Sequence, residues 1–488
     1  MTAVASVTVL GSLISIFDTT IVQVAVPSLV RNLHTSLATV QWVTTIYLLA
    51  LALVVPLTRW ATDRFGTKNV WMASMSLFLI GSLLCGLSPS IVPLICFRAL
   101  QGVGGGMLLP TGQTILTREA GPERLGRVMS VVGIPSMLGP LLGPIFGGLI
   151  LSAFSWRFIF FVNLPLGAIA LVRGAKILAP GDTGTSRRLD VVGLLLLPPG
   201  LCCCIYAIST FGNAGHVNRA VAASGLAGGL LLTAFAVHAF RSPEPLLDLR
   251  LWRNRALLAS QATMFLYGCG INAVLFLVQL YYQLARGATP LLSSLLVAPS
   301  AFGAMAILPF AGKIMDRRGS RGVVIAGLAL VCLGVLPLTQ VGPRTSELFL
   351  SACWFFRGVG VGATATPATA AGYTTLRRDE VSGATTLTSI IQYFGGALGV
   401  AVVAVILQRR VQDFLPGGGG VQALSHLSPA RIAELGAPLA HAFGTLFWFT
   451  VALSLAAMVP ALLLPRRPPK IDHSVTAEQP VALSGNEA

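Results

Sequence analysis

The chain has 488 residues, of which 54% are hydrophobic and only 10% charged. A soluble globular protein carries about 25% charged residues, so this composition excludes a soluble enzyme, a disordered chain and an ordinary nucleic-acid binder. The formal net charge of +16 comes from short basic clusters between long apolar runs. That pattern belongs to a polytopic membrane protein whose cationic loops stay on the cytoplasmic side.

At about 20 apolar residues per crossing, the windows between charge clusters and Gly/Pro breaks predict fourteen helical spans. In chain order they cover 3–27, 38–58, 69–88, 91–116, 128–151, 158–178, 190–211, 220–240, 256–282, 290–311, 322–341, 347–371, 383–407 and 441–464. The first contains Asp18 and has no Lys or Arg before Arg31, so it reads as a retained span and not as a secretory signal. With the N-terminus inside, 23 basic residues fall in cytoplasmic segments and 8 in external ones; Arg98 and Arg357 lie within spans. This asymmetry predicts that both termini are cytoplasmic, in a bacterial cell membrane. Eight cysteines lie in or beside apolar runs without metal or redox spacing. No phosphate-binding loop sequence indicates ATP use. No metal, cofactor or enzymatic activity is expected.

The chain repeats itself. Asp63-Arg64-Phe65-Gly66-Thr67-Lys68 follows the second span, and Asp316-Arg317-Arg318-Gly319-Ser320-Arg321 follows the tenth, 253 residues later. The arginines within spans, Arg98 in R-x-x-Q-G-x-G and Arg357 in R-G-x-G-x-G, stand 259 residues apart. Two landmarks at nearly one offset indicate a duplicated bundle. The expected organisation is a six-helix bundle over 1–178, a linker with two extra spans over 179–255, a second six-helix bundle over 256–465 and a cytoplasmic tail over 466–488.

Four segments carry a resemblance. Phe17-Asp18-Thr19-Thr20-Ile21-Val22-Gln23-Val24-Ala25-Val26-Pro27 is similar to L-D-x-T-I-V-N-V-A-L-P, with Gln23 in place of Asn. Arg98 to Gly104 is similar to R-x-x-Q-G-x-G, and Gly139 to Gly148 to the G-x-x-x-G-P-x-x-G-G antiporter motif. Trp156 to Pro165 is similar to W-R-W-I-F-x-I-N-L-P. In order and at these spans, they resemble the fourteen-helix drug/proton antiporters of the major facilitator superfamily. The resemblance implies an all-α membrane protein of two six-helix bundles with two inserted helices.

Asp18 is the one acidic residue well inside a predicted span. A charge at the bilayer centre costs about 2.5–3.5 kcal/mol even on insertion scales, so it requires a partner or a polar cavity. Burial favours the uncharged form of a carboxyl group, which lets such a group take up a proton. Ser12, Ser15, Thr19 and Gln23 share its side of the helix and are expected to wall a central cavity. Counted along two antiparallel helices, Asp18 and Arg98 both lie about 10–14 Å below the outer surface, which makes Arg98 the expected partner. Gly139, Gly143 and Gly147 recur at every fourth position, with Pro140, Pro144 and Gly148, on a bendable face suited to a moving interface between the halves. Asp63, Arg64 and Gly66, with Asp316, Arg317 and Gly319, are expected to gate the cytoplasmic side by capping incoming helices. By the resemblance, Asp63 meets the start of span 13 near 382–384 and Asp316 the start of span 5 near Arg127. Gln23, Gln101, Asn272, Gln279, Tyr282 and Gln392 are the candidate substrate contacts.

The expected function is proton-coupled export of hydrophobic small molecules by a monomer in the lipid bilayer, with substrate and protons as partners and no nucleic acid. The alternatives are a dedicated exporter of one host metabolite or antibiotic, an importer or uniporter of the same fold, and a membrane sensor that does not transport.

Overall fold

A computed structural model describes residues 2–120, 139, 142–180, 189–214, 218–243, 245–342, 345–374, 376, 378–413 and 435–466. Among these residues every regular element is a helix. The first bundle contains α1 (Thr2–Asn32), α2 (Leu37–Phe65), α3 (Thr67–Leu87), α4 (Ile91–Ala120), α5 (Leu142–Ala153) and α6 (Phe158–Ile177). The inserted pair is α7 (Val191–Ala214) and α8 (Arg219–Arg241). The second bundle contains α9 (Arg255–Ala285), α10 (Pro290–Val297 continued by Pro299–Arg318), α11 (Ser320–Gln340), α12 (Glu347–Tyr373), α13 (Arg378–Gln412) and α14 (Gly436–Ala461). Thirteen of these are long and apolar enough to cross a membrane. The described part of α5 is shorter, and 121–138 at its expected start lie outside the described residues. The protein therefore has the all-α, fourteen-span architecture that the sequence predicts.

Local chemistry sets the helix ends. Ser36 caps α2 by accepting from the Thr39 amide, Asn254 caps α9 by accepting from Ala256 and Leu257, and Thr289 caps α10 immediately before Pro290. Such side-chain oxygens satisfy amides that have no partner within the helix. Pro299 divides α10 because a proline supplies no amide to the helix ladder. The first span, expected to end at Pro27, continues to Asn32. A proline near the end of a buried helix costs one hydrogen bond, and the apolar packing of Leu29 and Val30 outweighs it.

The two halves repeat each other contact by contact. Gly66 and Gly319 each join one helix to the next, with φ of 80° and 84°, a region that glycine enters without steric cost. A Cβ on Gly104 would lie 2.4 Å from the Phe78 amide nitrogen, and one on Gly360 would lie 2.6 Å from that of Val331. Gly102 closes on Tyr47 as Gly358 closes on Ser300, and Gly106 closes on Leu51 as Gly362 closes on Ala304. Hence α2 and α3 recur as α10 and α11 after 253 residues, and α4 recurs as α12 after 256.

This register corrects the sequence pairing of the two arginines. Arg357 stands where Gln101 stands, and Trp354 stands where Arg98 stands. The glycines that let helices touch fix the register, and Arg98 precedes them by four residues where Arg357 precedes them by one. For the first helix, Ser15 Oγ donates to the Gly105 carbonyl as Tyr267 OH donates to the Val361 carbonyl. Gly143 meets Thr20 as Gly396 meets Asn272. α1 therefore recurs as α9 after 252 residues, and the counterpart of Asp18 is Gly270.

One apolar core joins the halves through the ends expected to face outward. It unites Val26 and Leu29 of α1 with Leu277 and Tyr281 of α9 and with Leu407 of α13. There Gln283 donates to the Val24 carbonyl at 3.0 Å. Toward the other end, α9, α11, α12 and α14 have their own core around Met264, Leu328 and Ala457. The first bundle's core there takes in α13 through Leu387 and Ile390.

The inserted helices lie outside this arrangement. α7 packs on α2 and α13, while α8 leaves Leu226 67% and Leu230 62% exposed, a surface suited to acyl chains. Asp190, just before α7, ties the pair to the connector that follows it. Its carboxylate accepts from Gly193 N, from Leu246 N and from His238 Nε2, at 2.7–2.8 Å. Burial pushes this carboxyl up, but those three hydrogen bonds outweigh burial and hold it below its ordinary value.

Candidate functional site

Asp18 lies in the middle of the 31-residue α1 and is completely buried. Its carboxylate is the centre of a network that joins four helices. Arg98 Nη1 of α4 donates to Oδ2, forming an ion pair. Gln101 Nε2 and Asn163 Nδ2 donate to Oδ1 at 3.0 and 3.1 Å. Gln101 Oε1 also accepts from Arg98 Nη1 at 2.7 Å, so α4 supplies a cation and an amide that hold each other as well as the acid. The spacing of three residues puts both on one face of α4. Ser82 Oγ of α3 accepts from Gln101 at 3.1 Å and from Asn163 at 3.0 Å, and donates to the Phe160 carbonyl of α6.

The guanidinium of Arg98 is held from the other side by α2. Its Nε donates to the Val43 carbonyl at 3.1 Å, and its central carbon lies 3.9 Å from the Tyr47 ring centroid. Such stacking on an aromatic face is favourable for a desolvated cation. Tyr47 OH donates in turn to the Ser15 carbonyl. Small residues make the approach possible: a Cβ on Gly105 would lie 2.8 Å from the Tyr47 hydroxyl, and one on Gly81 2.7 Å from the Gln101 backbone. A buried pair of opposite charges stands only when its remaining polar atoms are satisfied. Here three donors meet the carboxylate, while Arg98 Nη2 has no acceptor among the described residues.

The sequence points to Asp18, Arg98 and Gln101, and the structure brings them into direct contact. Asn163, Ser82 and Tyr47 are additional. An amide deep in the sixth apolar span marks Asn163 as needing a partner. Nothing in the sequence separates Ser82 or Tyr47 from other residues of their kind. The network is enclosed within the first bundle, among α1, α2, α3, α4 and α6. Asp18 and Ser15 are not on the wall of an open cavity; both are buried.

The remaining expected residues stand elsewhere. Gly139, Gly143 and Gly147 pack on Ile16, Thr20 and Ile21 of α1, in their own bundle, and Gly148 is the glycine that meets Pro290 and Leu291 of α10. Among the described residues the groove therefore faces α1, and Gly148 beside it meets the other half. Pro144 is buried, and Pro140 lies outside the described residues. Asp63 is half-buried, Arg64 and Arg317 are exposed, and Lys68 donates to the Ala175 carbonyl. The side chains of Asp316 and Ser382, and the whole of Arg127, lie outside the described set. Gln23 is buried. Asn272 and the backbone of Gln392 lie at the α9–α13 contact, and Gln279 accepts from Ser293 at 2.9 Å. Tyr282 is buried with its ring 5.3 Å from that of Tyr281. Among the described residues no group of acidic, His and Cys side chains is arranged to hold a metal.

Comparison with known proteins places this geometry in a family context. Residues 8–400 match the family model described as Major Facilitator Superfamily. The chain is 37% identical over 484 residues to a Mycobacterium tuberculosis protein named multidrug resistance protein B homolog, covering 95% of this chain and 90% of the relative. It is 28% identical over 400 residues to the uncharacterized MFS-type transporter YhcA of Bacillus subtilis, covering 82% of this chain and 75% of that one. A crystal structure of a D-xylose–proton symporter superposes with a TM-score of 0.66 at 13% identity, over 95% of this chain and 98% of that one. That last likeness concerns the fold alone.

Proposed function

Because the chain belongs to the Major Facilitator Superfamily, we propose that it is a proton-coupled exporter of hydrophobic small molecules, working by alternating access. The observation that carries the reading is the enclosed carboxylate of Asp18 with its guanidinium partner, in an otherwise apolar membrane helix. An ionisable group at such a depth is costly and is a functional candidate by default. The multidrug-resistance relative and the antiporter motif of α5 support outward movement of drug-like cargo.

In this reading a proton from outside reaches Asp18 and neutralises the charge that Arg98 faces. The ion pair and the hydrogen bonds from Gln101 and Asn163 then lose their charge assistance, and α1 and α4 become free to shift relative to one another. Loss of the proton inward restores the pair. A ligand drives such a change only by its differential affinity for the two states. Cargo that binds when Asp18 is ionised and leaves when it is protonated therefore exchanges for protons. Gln23, Asn272, Gln279, Tyr282 and Gln392 are the proposed contacts along the cargo's route, whereas Gln101, expected to be one of them, is taken up by the Asp18 network. Asp63, Arg64, Gly66, Asp316, Arg317 and Gly319 form the proposed cytoplasmic gate.

The glycines of α5 are proposed to let α1 and α5 slide as one body. The proposed boundaries are 1–178, 179–255, 256–465 and 466–488, in a monomer with both termini in the cytoplasm of a bacterial cell.

The test is transport by inverted membrane vesicles containing the protein. An imposed proton gradient should drive accumulation of ethidium or another hydrophobic dye, and an uncoupler should abolish it. Accumulation that is insensitive to the uncoupler would refute proton coupling. Movement of dye only down its own gradient would refute active export.

A further inference from the structure

Arg357 is a membrane-buried cation that the first bundle's machinery does not use. It is 2% exposed. Among the described residues its one hydrogen bond goes to Ser300 Oγ at 3.2 Å, and its Nε has no acceptor. Its guanidinium carbon lies 5.1 Å from the Trp354 ring centroid. No carboxylate among the described residues forms an ion pair with it.

The internal repeat identifies the counterparts of Arg357 and Asp18. Arg357 occupies the position of Gln101, whose amide in the first bundle reaches Asp18. The position of Asp18 is taken by Gly270. Gly270 is not a packing glycine: a Cβ there would find its nearest neighbours, Leu453 Cβ and Ser454 Oγ, at 3.9 Å, which is ordinary van der Waals contact. Its neighbour Gly268 differs, since a Cβ there would lie 2.6 Å from the Gln392 carbonyl. The second bundle thus keeps a buried cation, and a side chain on the glycine that replaces the acid would meet only ordinary van der Waals contact.

We propose that Arg357 receives the anionic group of a carboxylate-bearing amphipathic cargo, in the place where the first bundle holds its own carboxylate. A guanidinium pairs with a carboxylate through parallel N–H donors, and the Trp354 ring provides an apolar face for an aromatic cargo. This rests on the exporter reading, because it identifies the anion as cargo.

The probe is 1-naphthoate, compared with the uncharged 1-naphthamide, in calorimetric binding to the full-length protein in detergent. The wild type should bind naphthoate about tenfold more tightly, as a charge-assisted pair requires. Arg357→Gln should lose this preference, and Arg357→Lys should keep part of it. Gly270→Asp should lose it too, since an internal carboxylate then occupies the cation, whereas Gly270→Asn should retain it.

Equal binding of the two probes by the wild type would overturn the proposal, whatever the variants do. So would a preference that survives Arg357→Gln. Displacement of naphthoate by millimolar chloride would assign the site to an inorganic anion and overturn the cargo assignment. Ethidium accumulation by wild-type vesicles is measured separately, so failure of the exporter reading is distinguishable from failure of this site.

Discussion

The first bundle surrounds a carboxylate with a guanidinium and two amides, whereas the second bundle, built on the same contacts, has a guanidinium and a glycine. In α1–α6 the charges of Asp18 and Arg98 answer each other, and Gln101 bridges them. In α9–α14 the equivalents are Gly270, Trp354 and Arg357, and the cation turns to Ser300. Even the aromatic and hydroxyl groups have exchanged helices: Tyr47 on α2 meets Ser15 on α1, while Tyr267 on α9 corresponds to Ser15 and Ser300 on α10 to Tyr47. The duplicated fold is preserved by glycines at helix contacts. The chemistry between those contacts has diverged, and among the described residues the fully buried carboxylate–guanidinium pair stands in the first half.

Paired substitutions test that asymmetry. Arg98→Met leaves the Asp18 carboxylate buried and unpaired, so unfolding in detergent should show a loss of about 3–5 kcal/mol. Arg357→Met removes a cation without an ionic partner and should cost much less, or stabilise; equal losses would erase the proposed difference. Asn163→Ala takes one of three donors from the ionised acid. The same unfolding assay should register about 1.5–3 kcal/mol, and a loss below half a kcal/mol would remove Asn163 from the network. Gly104→Ala and Gly360→Ala test what the halves share. Each forces a methyl group against backbone, and each should cost about 1–3 kcal/mol; a clear inequality would break the contact register.

The smallest effect concerns the inserted pair, which belongs to neither bundle. The Asp190 carboxyl is held below its ordinary value by its donors. Its contribution is therefore present above that ordinary value and lost as pH falls through the lowered one. Limited proteolysis of the connector at 242–254 should accelerate on acidification in the wild type, and Asp190→Asn should flatten that dependence. An unchanged pH profile in the variant would separate Asp190 from the connector's stability.

The fold was legible because apolar windows and charge asymmetry are strong signals: thirteen predicted spans coincide with long apolar helices, and the described part of the fifth is helical too. Asp18 and Arg98 were legible for the same reason, since charges within apolar runs demand partners and counting along two antiparallel helices matched their depths. The register of the repeat was harder to read. An arginine draws attention, but Gly102, Gly104 and Gly106 determine how α4 sits on α2 and α3, and they align with Gly358, Gly360 and Gly362. Ser82 carried no signal because a serine hydroxyl in a membrane helix can satisfy itself on its own backbone, as Ser74 does on Val70, and nothing distinguishes Tyr47 from the other aromatic residues of the apolar spans. The groove of α5 was recognisable as a contact surface, but periodicity does not say which helix it meets, and the structure shows that helix to be α1.

The most direct test of the central claim is transport by Asp18→Asn in proteoliposomes with an imposed proton gradient. The asparagine keeps the size of the side chain, and its one oxygen can still accept from Gln101 and Asn163 or from Arg98, but it cannot gain or lose a proton. The variant should bind ethidium with an affinity that no longer varies with pH, and it should fail to concentrate the dye against its gradient. Uphill accumulation at the wild-type rate would contradict the account and leave Asp18 a structural member of the first bundle.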